Sequence, residues 1–405
     1  MTPVDKIDPR PLMMTTGVEA VIAALSANGA VVRFVGGCVR DAVIGRPPGG
    51  DIDLATADQP ETVIALLEAA GLRALPTGIT HGTVTAVADR RPVEVTTLRR
   101  DVETDGRHAR VAFTDDWEAD ATRRDFTMNA MFCDPDGALY DPVGGLDDAR
   151  AGRVRFVGDP VRRIDEDALR ILRFFRFHAH YGLGPADPSF LSSCRSKAAL
   201  ATALSGERVG AEMLKLLAAP DPAVTLELMI ESGVMAGLLP QIIGPGNLAA
   251  LCRIDDGDAL RRLAVLLGRG DAKAVAMRLR LSNDQRDRLE AMTAPPLDIG
   301  AALDGAAQRR ALYRISAELF IDLAYLAWAG SGEPGFDVMV ETARKWRPPA
   351  LPIDGHDVIA LGVEKGQRVG GLLREVEDWW ISGDFKADRE AALAKLASLA
   401  SLAAD

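Results

Sequence analysis

Residues 31–41 read Val-Val-Arg-Phe-Val-Gly-Gly-Cys-Val-Arg-Asp, and ten residues further on stands Asp51-Ile52-Asp53. Val31 to Val35 is a short apolar strand, broken by Gly36-Gly37, and Val39 to Ile44 is a helical turn. A glycine pair between a strand and a helix lets backbone N–H groups approach a phosphate closely. The helix start adds its positive end, and Arg40 adds a fixed positive charge. The plain alternative is an ordinary turn. Asp51 and Asp53 sharpen the choice. On a strand, residues i and i+2 share a face about 7 Å apart, and two carboxylates so placed repel unless a cation lies between them. Hard oxygens suit Mg2+, which takes few protein ligands together with substrate phosphates. The competing reading is two exposed acids at a strand end; the phosphate-type loop upstream favours the metal pair.

Around this centre the first third of the chain reads as mixed α/β. Residues 17–29 form a helix stopped by Gly29, and Pro60 to Ala70 a second stopped by Gly71. Asp51 to Leu54, Val84 to Ala88 and Val93 to Leu98 read as strands. Arg99 to Asp116 is polar, contains Asp105-Gly106, and is expected to be a loop. After about Arg153 apolar repeats at helical spacing dominate and strand signals nearly vanish. The fold class expected is α+β, a small α/β head followed by an elongated all-helical remainder. The segments expected are a head over 1–147, a neck over 148–205, a body over 206–275 and a tail over 276–405.

Three further constellations carry chemistry. Glu94 lies in Pro92-Val93-Glu94-Val95-Thr96-Thr97-Leu98, so it faces away from its flanking valines. It could complete a metal site, deprotonate an attacking hydroxyl, or simply face solvent. Arg123-Arg124-Asp125 with the amide of Asn129 could bind a ribose and phosphates, although composition alone favours a capped, salt-bridged helix start. In Asp165-Glu166-Asp167-Ala168-Leu169-Arg170, Asp167 is expected one turn before Arg170, and Arg173 and Arg176 continue at three-residue spacing along the same helix face. The plain alternative is an amphipathic helix with an i,i+3 ion pair. The functional reading has a chemical consequence. An acceptor at Asp167 and a donor at Arg170 match cytosine and adenine, which offer an amino group beside ring acceptors. Uracil and guanine present a carbonyl where the amino group should be. A buried polar group left unpaired rejects such analogues strongly, so one protein pair could select C and A without a template.

The chain of 405 residues has 48% hydrophobic and 26% charged residues, an ordinary globular balance. No apolar run approaches the length of a bilayer span, and Met1 to Met14 has prolines and charges rather than the apolar stretch of a signal peptide. Cys38, Cys133, Cys194 and Cys252 are scattered and form no CxxC pair, so no zinc site and a reducing, cytoplasmic location are expected. The net charge of −11 argues weakly against a nucleic-acid partner, but binding needs only a local basic face. Candidate basic clusters are Arg162, Arg163, Arg170, Arg173 and Arg176, and later Arg278, Arg280, Arg286 and Arg288.

These motifs together resemble the bacterial class II nucleotidyltransferases, namely the tRNA CCA-adding enzymes and related poly(A) polymerases. The matching stretches are VGGCVRDAVIGR with DIDLAT, VEVTTLRRD, DGRHARVAF, RRDFTMNAM, the run from Asp141 to Phe177, SGERVGAEMLKLL and, late in the chain, Ile353 to Trp380. The resemblance is dense from Val31 to Leu217 and patchy afterwards. It implies a polymerase-β-like head, then a helical neck, body and tail that hold the acceptor arm of tRNA. It implies that Gly37 and Arg40 contact a triphosphate and that Asp51 and Asp53 hold Mg2+; Gly36 beside Gly37 and the candidate catalytic carboxylate Glu94 join them on the residue reading above. Arg124 and Asp125 would meet the sugar of the incoming CTP or ATP. Asp167 and Arg170 would read its base, supported by Arg173 and Arg176. The loop around Asp101 to Arg110 would help switch from C to A, and Ser205 to Lys215 would buttress the neck. Pro47-Pro48-Gly49-Gly50 makes a longer lead into Asp51 than the family pattern. The implied reaction is addition of CCA to the 3′ end of tRNA, with no membrane and no obligatory protein partner. Poly(A) synthesis, partial CC or A addition, and non-catalytic RNA binding are the alternatives. The absence of a Lys/Arg-rich tail argues against the first, and the intact Arg40, Asp51 and Asp53 against the last.

Overall fold

The strand, Gly-Gly turn and helix read from residues 31–44 form as a unit: Val32–Val35 is a fully buried strand and Gly37–Val43 a helix. The computed structural model describes residues 1–47, 52–105 and 108–402. Asp51, preceded by Pro48-Gly49-Gly50, lies outside them, as does Gly106-Arg107. The chain divides into two units, one of residues 1–245 with 277–280 and the other of 246–276 with the chain from Leu281 on.

The first unit is built on strands β1 (Asp5–Lys6), β2 (Val32–Val35), β3 (Asp53–Thr56), β4 (Arg73–Gly78), β5 (Thr83–Ala88), β6 (Arg91–Thr97), β7 (Arg99–Asp105), β8 (His108–Phe113), β9 (Phe132–Cys133) and β10 (Ala138–Tyr140). Eight of them form one mixed sheet in the order β1-β10-β9-β2-β3-β6-β5-β4. Its parallel pair, β3 beside β6, sets Asp53 opposite Glu94. Val93 and Val95 are buried and Glu94 is exposed, the alternation expected of a strand with one covered face. β5 and β6 are joined by Asp89-Arg90, both at positive φ (50° and 64°). That is the backbone of a type I′ hairpin turn, usually filled by Asn-Gly or Asp-Gly.

The segment after β6 corrects the sequence reading. Arg99 to Asp116 is not a loop. β7 and β8 pair antiparallel from Arg99↔Phe113 to Asp105↔His108. In sequence, Asp105-Gly106 is a hairpin signal that the polarity of the flanking residues masks.

Beyond β10 the described chain contains no further named strand. The helices Pro160–Glu166, Leu169–Tyr181, Pro188–Lys197 and Gly206–Leu217 follow. Their shared core is aromatic. Phe174 stacks on Phe190 with centroids 3.6 Å apart, and Phe126 meets Phe156 and Phe177, each at 4.7 Å. Phe126 and Phe156 also form a backbone bridge, which ties the end of the sheet region to the first helices. Gly210 lies so close to the segment 277–280 that a Cβ on it would stand 2.2 Å from the Leu279 carbonyl oxygen, so that helix face needs glycine.

The second unit is helical throughout the described residues. One core gathers Leu312, Phe320, Leu323, Phe336 and Met339, and another Val358, Leu372, Val376 and Leu396. Between the helices Ala259–Leu267, Asn283–Thr293 and Ala317–Ser331 lies a buried ion network. Asp322 accepts from Arg261 Nε at 3.0 Å and from Arg288 Nε at 2.7 Å, and Arg262 pairs with Asp255. Arg288, listed in sequence with a basic cluster, is thus an interior partner of carboxylates. No helix among the described residues is long and apolar enough to cross a membrane.

Candidate active site

Gly36, the residue before the Gly37–Val43 helix, has φ 77° and ψ −131°, a conformation that glycine adopts without strain. Gly36 and Gly37 open one wall of a cleft of about 480 Å3 in the first unit. Asp53, at the start of β3, lies on the same wall, with its Oδ2 3.6 Å from where a Gly36 Cβ would stand. A Cβ there would only touch that carboxylate; it is the positive φ that favours glycine at position 36. Cys38 lies just behind the turn, and burial pushes its thiol up to about 11, so it remains protonated and is no nucleophile.

Arg40 also lines the cleft, and it is held from three sides. Its Nε donates to Asp41 at 3.0 Å, Nη1 to Asn129 at 2.8 Å and Nη2 to the Tyr181 hydroxyl at 2.6 Å. A guanidinium fixed in this way presents its charge with little freedom.

Arg123, Arg124, Asp125 and Asn129 line the cleft next to this wall, with Arg124 Nη1 3.8 Å from where a Gly36 Cβ would stand. Asp120, fully buried, holds the two arginines from behind. It accepts from Arg123 Nε at 2.8 Å, from Arg124 Nη2 at 2.8 Å and from the Arg99 backbone N–H at 3.2 Å. Burial alone would raise its pKa; the charges of Arg124 and Arg123 outweigh burial and hold the carboxyl below its usual range. The double arginine therefore follows the end of the helix Trp117–Thr122, not a helix start. Asp125 is joined to Arg173 and accepts the Phe126 N–H at 2.8 Å. Here too burial opposes ionisation, and the Arg173 charge with these hydrogen bonds prevails, leaving the carboxyl below its usual range.

Asp167 and Arg170 line the same cleft, by a different route from the one expected. Asp167 is not on the helix with Arg170. It stands in extended conformation at the break after Pro160–Glu166, with φ −154° and ψ 106°. Its Oδ1 accepts the Leu169 N–H at 3.0 Å, capping the next helix, and its Oδ2 accepts Arg208 Nη2 at 2.6 Å. Arg170 pairs through Nη1 with Glu166 and with the Arg163 carbonyl. So the i,i+3 Asp167–Arg170 ion pair that was the competing reading does not form; each side chain is oriented by other partners. A carboxylate has about four lone-pair sites and a guanidinium five N–H groups, so each keeps capacity for a ligand.

Arg173 reaches the cleft, but Arg176 does not line it. Arg176 donates to Glu212 at 2.6 Å and lies over Phe177. A three-residue step on a 3.6-residue helix drifts by about 60°, so the series has turned away from the cleft by Arg176. Glu94 does not line the cleft either; it stands beside Asp53 on the neighbouring strand. Asp51 lies outside the described residues. Among the described residues no three His, Cys, Asp or Glu side chains cluster as a metal site. Asp53 supplies a hard oxygen donor facing a wall of arginines, a donor set that fits a divalent cation bridging to phosphates. Asn129, read in sequence with the double arginine, lines the cleft, whereas Arg208 and Tyr181 were missed from sequence. Arg208 is 41 residues from Asp167, and no local pattern pairs them.

Comparison with known proteins agrees with this geometry. Residues 32–155 match the family described as Poly A polymerase head domain, and residues 187–243 match the probable RNA and SrmB-binding site of polymerase A. The chain is 33% identical over 411 residues to the mitochondrial CCA tRNA nucleotidyltransferase 1 of Danio rerio, covering 95% of this chain and 91% of that protein. It is 39% identical over 226 residues to the CCA-adding enzyme of Geobacillus stearothermophilus, covering 55% and 54%. The crystal structure of the Bacillus stearothermophilus CCA-adding enzyme in complex with CTP superimposes with a TM-score of 0.82 at 29% identity, covering 98% of this chain and 99% of that one. With the cleft, the polymerase-β-like head and this likeness along nearly the whole length, the chain belongs to the CCA tRNA nucleotidyltransferase family.

Proposed function

We propose that the protein adds C, C and A to the 3′ end of tRNA from CTP and ATP, releasing pyrophosphate at each step and using no nucleic-acid template. The observation that carries this reading is the sharing of one cleft by Asp53, the Gly36-Gly37 turn, and Asp167 with Arg170. In each step the 3′-hydroxyl oxygen of the RNA bonds to the α-phosphorus, and the bond from that phosphorus to the bridging oxygen of pyrophosphate breaks. Gly36, Gly37 and Arg40 hold the triphosphate, and Arg124 with Asp125 hold the sugar. Asp167 accepts the amino proton of cytosine or adenine while Arg170 donates to the neighbouring ring acceptor. Asp53 and Asp51 would hold Mg2+, which neutralises charge on the phosphates. Glu94, the register partner of Asp53 on the neighbouring strand, would be the third carboxylate.

Like the family at large, the protein works with a divalent metal; Mg2+ is the ion its oxygen donors favour. The likeness along the whole chain to a CCA tRNA nucleotidyltransferase favours full CCA addition over poly(A) synthesis. The free thiols fit a reducing compartment, for which we propose the cytoplasm. The test is incubation with Mg2+, tRNA lacking its terminal CCA, and each NTP singly and in pairs. The expected products are CC with CTP alone and CCA with CTP plus ATP. A ladder of A residues with ATP alone would overturn the assignment.

A further inference from the structure

The helix Leu169–Tyr181 has 13 residues and is about 19 Å long. Arg170 is in its first turn, next to Asp167. Its last residue, Tyr181, meets the opposite side of the nucleotide site. There the Tyr181 hydroxyl accepts from Arg40 Nη2 at 2.6 Å, although the two residues are 141 apart in sequence. The Arg40 guanidinium also lies over the Tyr181 ring, 3.9 Å from its centroid. A second guanidinium, from Arg46, is 4.9 Å from the same ring. Arg40 is 6% exposed, and Asn129 and Asp41 fix its other nitrogens. The hydroxyl of Tyr181 is therefore the neck's own contribution to the posture of a head-domain arginine. A phenyl ring could supply the packing; only the hydroxyl supplies the directional acceptor.

We propose that Tyr181 is a positioning residue for the triphosphate: through Arg40 it lets one neck helix set both where the base is read and where the phosphates lie. The proposal rests on the reading that Arg40 faces the triphosphate. A nucleotide bound with its base against Asp167 and Arg170 then meets a phosphate anchor already registered to the same rigid helix. Displacement of a fraction of an ångström at Arg40 misplaces the α-phosphorus whichever base is bound. The role is independent of base identity, which separates it from Asp167 and Arg170.

The test uses the full chain with Tyr181→Phe, which keeps the ring and its contact with Phe177 at 5.6 Å. Binding of tripolyphosphate with Mg2+ and binding of cytidine are measured separately, followed by kcat and KM for CTP and UTP. Loss of one charge-assisted hydrogen bond is expected to weaken tripolyphosphate about tenfold or more. Cytidine affinity should be unchanged, and the KM for CTP should rise while the CTP/UTP ratio of kcat/KM stays constant. Arg40→Gln is run in parallel. If Arg40→Gln binds tripolyphosphate like wild type, Arg40 is no phosphate ligand, and both that reading and this proposal fall. If Arg40→Gln weakens it and Tyr181→Phe does not, the phosphate reading stands and the role of Tyr181 is overturned. Equal loss of tripolyphosphate and cytidine in Tyr181→Phe would mean general loosening and would also overturn it.

Discussion

Asp53 and Asp167 stand at the two chemical poles of the cleft, and each supports a sharp prediction. Asp53 is the described member of the carboxylate pair. Asp53→Ala leaves one carboxylate of that pair, so incorporation of both CTP and ATP should fall to below about one-hundredth of wild type. Rates near wild type in a folded variant would remove Asp53 from the metal site. Asp167→Ala deletes the acceptor for the base amino group. The CTP/UTP ratio of kcat/KM should then shrink about ten- to a hundredfold, because the penalty of an unpaired acceptor against uracil disappears. Arg208 refines this expectation. Arg208→Ala leaves the acceptor but removes the hydrogen bond that orients it, so it should reduce the ratio by less than Asp167→Ala does. If the ratio is unchanged in Asp167→Ala, Asp167 serves only to cap the Leu169–Tyr181 helix and pair with Arg208.

At the scale of elements, the β7–β8 hairpin is rooted in the nucleotide site. The Arg99 backbone N–H donates to Asp120, and Arg123 Nε donates to the Arg99 carbonyl. Asp120 in turn holds Arg124. Shortening the tip at Asp105-Gly106-Arg107 leaves this root in place. It should therefore spare CC addition and impair the terminal A, read as the ratio of products ending in CC to those ending in CCA. Equal loss of C and A addition would count against a switching role. The hairpin also shows what the sequence could and could not reveal. The strand, Gly-Gly turn and helix around Gly36 were legible because each signal is local: an apolar run, a residue pair with conformational freedom, a helix restart. β7 and β8 were not, because their polar residues match loop composition and only Asp105-Gly106 marks the turn. Asp167 was placed on the wrong element because the three-residue spacing of Arg170, Arg173 and Arg176 extrapolates smoothly across a helix break. The partners of these side chains, Arg208, Glu212 and Tyr181, come from distant parts of the chain, and charge pairing over such distances leaves no periodic trace.

At the scale of the whole molecule, a net charge of −11 coexists with many arginines that face inward to carboxylates. Arg163, Arg170, Arg173 and Arg176 each have an acidic partner in the first unit, and Arg261, Arg262 and Arg288 do in the second. These charges order the interior. The second unit offers the cleaner test, because its network contains no residue of the nucleotide cleft. Asp322 is completely buried and accepts from both Arg261 and Arg288, while the Arg261 guanidinium lies 4.4 Å from the Tyr325 ring centroid. Asp322→Ala removes the buried acceptor that Arg261 and Arg288 share, leaving Arg261 paired with Asp256 and Arg288 with Asp258. Breaking a buried pair on one side typically costs about 3–5 kcal/mol, so the urea midpoint of the second unit should fall clearly. Tryptophan fluorescence can follow it, since Trp328, Trp346, Trp379 and Trp380 all lie in that unit. Equilibrium binding of CTP, measured at urea concentrations below the lowered midpoint, should match wild type, because every cleft-lining residue belongs to the first unit. Stability within about 0.5 kcal/mol of wild type, the range of an ordinary surface change, would show that the network is dispensable. CTP affinity falling in step with the fluorescence transition would show that the two units do not unfold separately.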